Sequence, residues 1–400
     1  MNRDLRRSGR AAPSRVPDRS PPRLLLNFTA YDALASGARE RALGLAGALL
    51  RLGAEVIVAE PRGADLAAQV PVADGAAPPR ALRTRLDPGR PLDRFLRSGP
   101  VFARILAAER PDAFLTDFHP VPRVPGVRVA VTVHDLRDLA GAAPGRRVRR
   151  VYFRAAYGRS LRGAHRVVVP SEFTRDEAVR RLGLDPDRVS VVPNAVPESL
   201  RAPPDPAAVA RVRRRLELPR RPYLLAIGVL ERRKNLQRLL DALAFLHDEG
   251  AAVPDLVLAG RGGPEEARLR AASDRLPSGT VHWVGYVRPA DLPAVYDGAL
   301  ALVHPATYEG FGMPVVEAMA RGVPVLCSGA SALPETAGGA ALLFDPGDAV
   351  AIARAIQAAA GDTGLRSSLA ARGRARAAGL TFDAAARSLL DALGLSVPAG

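Results

Sequence analysis

Short apolar runs punctuate the first half of the chain at 24–28, 55–59, 113–118, 127–134, 166–170 and 189–193. Each is four to eight residues long and nearly free of polar alternation, which is how strands buried on both faces of a parallel sheet read. Between them, 38–52, 150–162 and 171–182 repeat apolar residues at helical spacing, and Gly53 offers a C-terminal stop to the first. The pattern breaks at 195–221, a stretch rich in Pro and Arg that fits one short helix at most. Alternation then resumes, with strands expected at 223–228, 255–260, 281–284, 300–304, 324–328 and 341–344. Helices are expected at 236–248, 264–274, 290–297, 314–321 and 348–360, and a final one at 382–393. Strand–helix alternation of this kind builds doubly wound parallel sheets. The fold class expected is therefore α/β, with two Rossmann-like domains facing across a cleft: a basic tail at 1–22, a first domain at 23–195, a linker at 196–221, a second domain at 222–380, and a closing helix and tail at 381–400. Ligands of such sheets bind beyond the C-terminal ends of the strands.

Composition adds charge to this picture. The 400 residues hold 57 Lys and Arg against 41 Asp and Glu. Of these, residues 1–200 carry 34 basic and 21 acidic groups, so the excess sits mainly in the first half. That asymmetry suits an anionic surface such as a membrane or a charged glycan. Nucleic acid is not an expected partner, because basic and aromatic residues do not interleave and no nucleic-acid module is present. One cysteine, Cys327, excludes a disulfide framework and a Cys-rich zinc site. Arg6 and Arg7 are followed by Pro, Asp and Ser rather than the apolar stretch a twin-arginine signal needs, and no run approaches a membrane span. A cytoplasmic protein, peripheral at most at the inner face of the membrane, is expected. Among the 57 basic residues only Lys234 is lysine.

Three segments carry chemistry. In 299–328 an apolar strand ends at His304-Pro305, and Glu309 precedes Gly310-Phe311-Gly312. Pro314 opens a helix that carries Glu317 and closes at Gly322. The positive end of that helix, reached over glycines, is a natural seat for a diphosphate. Two carboxylates there can accept hydrogen bonds from two parts of one hydroxyl-bearing ligand. In 224–240 a strand ends at Gly228, and Glu231-Arg232-Arg233-Lys234-Asn235 leads into an amphipathic helix. Arg offers a fork and Lys a point charge to the same anion. In 129–139 a strand delivers His134 and Asp135 to its C-terminal tip, with His119 after the preceding strand a weaker case of the same geometry. The turn Ser36-Gly37 lacks G-x-G-x-x-G, so a dinucleotide cofactor is not expected. Asp185-Pro186-Asp187 reads as turn chemistry rather than a metal motif.

In order and spacing these segments, with Val284-Gly285-Tyr286-Val287, Ser171-Glu172 and Asn194-Ala195-Val196, resemble the retaining GT-B glycosyltransferases of family four, over about residues 24–393. The resemblance implies a first domain for the acceptor and a second for a nucleotide-sugar donor. By it, Arg233 and Lys234 hold the donor diphosphate, and Glu309 binds donor-sugar hydroxyls with the amides of Gly310, Phe311 and Gly312. Glu317 binds the ribose, the backbone of Tyr286-Val287 meets the base, and Gly228 lines the donor loop. His134 lies beside the donor sugar, and Ser36 and Gly37 line the acceptor side. Ser36-Gly37 stands where many members have paired glycines, and Ala195 where Gly is common. The resemblance further implies hexose transfer, with mannose among the candidates, to a glycan, glycolipid or other hydroxyl acceptor. It implies retention, no cofactor and no metal. The alternatives are a GT-B sugar-nucleotide epimerase or phosphorylase, and, further off, a non-enzymatic binder of anionic surfaces.

Overall fold

The computed structural model describes residues 21–31, 37–87, 90, 93, 97–117, 125–140, 158, 160–203 and 205–397. The basic tail, Ser36, His119 and most of the helix expected at 150–162 lie outside the described residues.

Two parallel sheets form. The first orders its strands β3-β2-β1-β4-β5-β6-β7, from Arg23–Asn27 (β1), Glu55–Pro61 (β2), Arg80–Thr84 (β3), Ala113–Thr116 (β4), Arg128–Thr132 (β5), Arg166–Val169 (β6) and Val189–Val191 (β7). The second runs β10-β9-β8-β11-β12-β13, from Tyr223–Ile227 (β8), Leu256–Ala259 (β9), Val281–Gly285 (β10), Ala299–His304 (β11), Val325–Ser328 (β12) and Leu342–Phe344 (β13). Both faces of each sheet are covered. Leu24 and Leu26 pack into one core and Leu25 into another, and Leu224 and Leu225 divide in the same way. Burial on both faces is what the unbroken apolar runs predict.

Each sheet reverses its winding once, between β1 and β4 and between β8 and β11. Parallel sheets open a crevice at such a switch point, because the flanking connections leave to opposite faces. The loops after β8 and β11 carry Lys234 and Glu309, and those after β1 and β4 carry Tyr31 and Asp117.

The two crossings between domains are pinned together. The Val196 amide donates to Leu380 O at 2.9 Å, and the Arg201 guanidinium donates to Ala377 O and Leu380 O at 2.8 and 2.7 Å. Val196 and Leu200, read as linker, belong to the core of the second domain. The final helix, Phe382–Leu393, returns to the first domain and packs Leu389, Leu390 and Leu393 against the helix Gly37–Arg51. Gly44 allows that contact, since a Cβ there would fall 2.3 Å from the Phe382 ring. Among the described residues, the elements that went unread in the sequence include β3, the helices Ser98–Glu109 and Thr363–Ala378, and the short helices Arg137–Ala140 and Leu333–Ala337. The Asp185 side chain accepts from the Asp187 amide and caps the turn Pro186–Arg188, the turn role expected of it.

Candidate active site

The donor loop starts where β8 ends. Gly228 holds φ at +140°, and a Cβ there would stand 3.0 Å from Cε and 3.2 Å from Nζ of Lys234. The turn Arg232–Lys234 follows, then Asn235 in the left-handed region at φ 56°. Asn235 tolerates that conformation because its side-chain amide donates to Pro305 O and Pro346 O, at 3.1 and 2.7 Å. The turn thereby throws Lys234 inward, leaving it 8% exposed. A lysine that deep needs a partner. Its ammonium donates to Glu309 Oε1 at 2.6 Å, and Arg233 Nη1 donates to the same oxygen at 2.9 Å. Arg233 Nε donates to Glu231 Oε2 at 2.8 Å.

Glu309 is thus the hub of the second domain's switch point. Its amide donates to Ser331 Oγ at 3.0 Å, and His304 Nε2, at the tip of β11, lies 3.3 Å from Oε1. Burial alone would raise the Glu309 carboxyl; Lys234, His304 and Arg233 outweigh it and hold the group well below the usual carboxylate range. Burial, with the charges of Lys234 and Arg233, lowers His304 against the pull of Glu309 and favours the neutral imidazole. The sequence reading passed over His304; its place at a strand tip, five residues before Glu309, was the available signal.

Gly310 and Gly312 earn their places differently. A Cβ on Gly310 would lie 2.0 Å from His134 O and 2.9 Å from Asp135 Cβ, so only glycine lets the two domains approach there. Gly312 sits at φ +103° and starts the helix Met313–Ala320, in which Pro314 has no N–H and the Val315 amide donates to Gly312 O at 3.0 Å. Phe311 is buried, and its carbonyl accepts from Thr336 Oγ1 at 2.6 Å. Glu317, in the same helix, accepts from Tyr296 OH at 2.7 Å. Tyr286 is 46% exposed beneath the Arg261 guanidinium, 5.2 Å from its ring centre, whereas the Val287 side chain belongs to the core.

In Glu317 burial raises the carboxyl, more than the Tyr296 hydrogen bond and the Lys234 charge lower it. The folded state therefore holds this proton more tightly than the unfolded chain. Stability from the group is fully present below the unfolded value, about 4.3, and is lost as pH rises through the folded one. Glu317→Gln is expected to raise Tm at pH 8, by about 2–4 °C for each kcal/mol regained, with the gain shrinking towards pH 4. Thermal melts of both proteins across that range check it; a lower Tm for the variant at pH 8 would show the buried charge to be satisfied.

The first domain presents a matching cluster. His134 Nε2 lies 2.8 Å from Asp117 Oδ2, and Tyr31 OH donates to the same oxygen at 2.5 Å. Burial would raise Asp117, but His134, Arg41 and Tyr31 together keep it ionised far below its ordinary value. Asp117 and Tyr31 were not singled out in the sequence, since only the strand order brings them to His134. Gly37 opens the helix Gly37–Arg51 with open space around its Cα. Ser36 lies outside the described residues. Arg233, Lys234, Glu309, Gly310 and His134 therefore meet where the two domains touch, with Glu317 deeper in the second domain and Tyr286 at its rim.

Known proteins carry the same pattern. Residues 210–376 match the family "Glycosyl transferases group 1" and residues 35–200 match "Glycosyltransferase Family 4". The O-antigen chain mannosyltransferase B of Escherichia coli is 35% identical over 259 residues, which span 64% of this chain and 67% of that protein. A glycosyltransferase of Rickettsia africae superposes with a TM-score of 0.72 at 17% identity, over 94% of this chain and 98% of that one. Anabaena Alr3699/HepE, solved with UDP and glucose, gives 0.69 at 18% identity, over 93% and 99%. With these matches and two parallel sheets that each reverse their winding once, the chain belongs to the group 1 glycosyltransferases of family 4 and has the GT-B fold.

Proposed function

We propose that this glycosyltransferase moves a hexose, mannose in the first instance, from a nucleotide sugar to a hydroxyl of a glycan or lipid-linked acceptor, with retention and without a metal. The observation that carries the proposal is the convergence of Arg233 and Lys234 on Glu309 beside the start of the helix Met313–Ala320. A departing nucleoside diphosphate needs positive charge at its oxygens, and Arg233, Lys234 and the positive end of the helix Met313–Ala320 bring it to one place. In the structure Glu309 spans the two cations; a diphosphate would engage their outer faces and leave the carboxylate to the sugar hydroxyls. Glu317 then meets the ribose and the Tyr286-Val287 backbone the base. His134 faces the sugar from the first domain. The acceptor oxygen bonds to the anomeric carbon on the face from which the diphosphate leaves, and its proton passes to the departing phosphate oxygen.

Mannose is favoured by the 35% identical O-antigen mannosyltransferase. Metal-free transfer is supported by the cationic loop, where Arg233 and Lys234 bring the charge that a metal would otherwise bring to a diphosphate. An epimerase is disfavoured because the matched relative is a transferase by name. The basic excess suits a peripheral position on an anionic membrane that bears the acceptor; among the described residues no helix is long and apolar enough to cross one.

Incubation with GDP-mannose or UDP-glucose, an α-mannosyl acceptor and EDTA tests this reading. Release of nucleoside diphosphate with an α-linked product is expected, at the same rate with added Mg²⁺. An epimerised donor, a β-linkage or dependence on the metal would contradict it.

A further inference from the structure

Glu309 belongs to the second domain, yet both of its chain neighbours are fastened to the first. Tyr308 OH donates to Glu177 Oε2 at 2.9 Å and accepts from the Leu136 amide at 3.1 Å. Gly310 O accepts from Ser171 Oγ at 2.7 Å and from Thr174 Oγ1 at 3.1 Å. Ser171 caps one first-domain helix, Glu172–Leu182, and Thr174 and Glu177 lie on its first two turns. The contact is reciprocal, because Glu335 of the second domain accepts from the Glu172 and Phe173 amides at that helix's N-terminus, at 2.8 and 3.1 Å. The Phe173 ring meets the Tyr308 ring edge-on, with centres 5.8 Å apart.

Glu177 is the unusual member. Its side chain is 2% exposed, and a carboxylate is buried at high cost unless every lone pair is used. Arg180 and Arg181 both donate to Oε1, at 2.9 and 2.6 Å, which leaves Oε2 to the phenol across the interface. The phenol spends both its donor and its acceptor there.

We propose that Tyr308 and Glu177 are positioning residues: through them the first-domain helix sets the backbone on either side of Glu309, so that the donor acid is in place only when the domains are docked. This rests on the reading of Glu309 as a donor-sugar ligand. The consequence is that the sugar is activated when the acceptor domain is closed on it, and not in the second domain by itself.

Tyr308→Phe keeps the ring and its contact with Phe173 and removes only the two hydrogen bonds. With GDP-mannose, kcat is expected to fall about tenfold while donor KM stays within about twofold, the split of a misplaced group rather than a lost binding contact. Hydrogen exchange should quicken at Leu136 and through 305–312 and stay unchanged in β8. Glu177→Gln must turn its NH2 toward either the phenol or the Arg180 and Arg181 donors, so it disturbs the same contact, and kcat should fall in the same sense as in Tyr308→Phe. Unchanged exchange at 305–312 in Tyr308→Phe overturns the proposal. So does an unchanged kcat in Tyr308→Phe, or a Glu177→Gln variant as fast as wild type. If the wild-type protein neither binds nor turns over a nucleotide sugar, the donor reading fails, and the exchange result alone decides whether Glu309 is set from the first domain.

Discussion

Lys234→Ala is expected to cut donor turnover about a hundredfold or more, the loss found when a preorganised charge at a leaving group is removed. The side chain brings a compact ammonium to within 2.6 Å of Glu309 in a place 8% exposed, where water cannot replace it. Lys234→Arg is expected to restore little, with turnover still about tenfold down. Lys234 is held in a buried place, so a longer, planar guanidinium would have to displace its neighbours. This gives a physical reason for one lysine among 57 basic residues: 56 tolerate the arginine fork and this position does not. Nucleoside diphosphate release by the purified variants decides the matter. Wild-type rates in both would show the ammonium to be structural.

Glu309→Gln should cost as much in turnover and, unlike the lysine change, carry a clear pH signature in stability. The neutral amide leaves Lys234 and Arg233 facing each other without their shared counter-charge, a loss of about 3 kcal/mol. The folded state holds the Glu309 carboxyl below its unfolded value, so the stability it contributes is fully present above about pH 4.3 and fades as pH falls through the depressed value. Wild type and variant should differ most in Tm from pH 5 upward and converge in acid. A constant difference at every pH would mean that packing, not charge, holds the carboxylate.

Much of this site was legible before the strands were ordered. Gly228, Lys234, Glu309 and the helix opened by Pro314 are local features, encoded in spacing and in turn chemistry. Most of the residues missed were those whose meaning lies between elements. Asp117 and Tyr31 sit in loops beyond different strand tips and become partners only once β1 neighbours β4, whereas His304 meets Glu309 five residues on within one stretch. Tyr308 is unremarkable in sequence, because its two partners lie 131 and 172 residues away. Two of the unread elements, β3 and Thr363–Ala378, share a physical cause. β3 is an edge strand whose arginines face water, and Thr363–Ala378 buries little beyond Leu369, Gly373 and Ala377. Neither shows the apolar density that marks a central element. The docking of Phe382–Leu393 on the first domain depends on long-range packing at Gly44 that no local pattern announces.

The central claim is that a donor diphosphate binds at the second domain's switch point. A crystal structure of the protein grown in EDTA with GDP or UDP tests it most directly. The account predicts the diphosphate against Arg233 and Lys234 at the start of the helix Met313–Ala320, with the ribose hydroxyls at Glu317. A diphosphate seated elsewhere, against the first domain or away from Lys234, would contradict it.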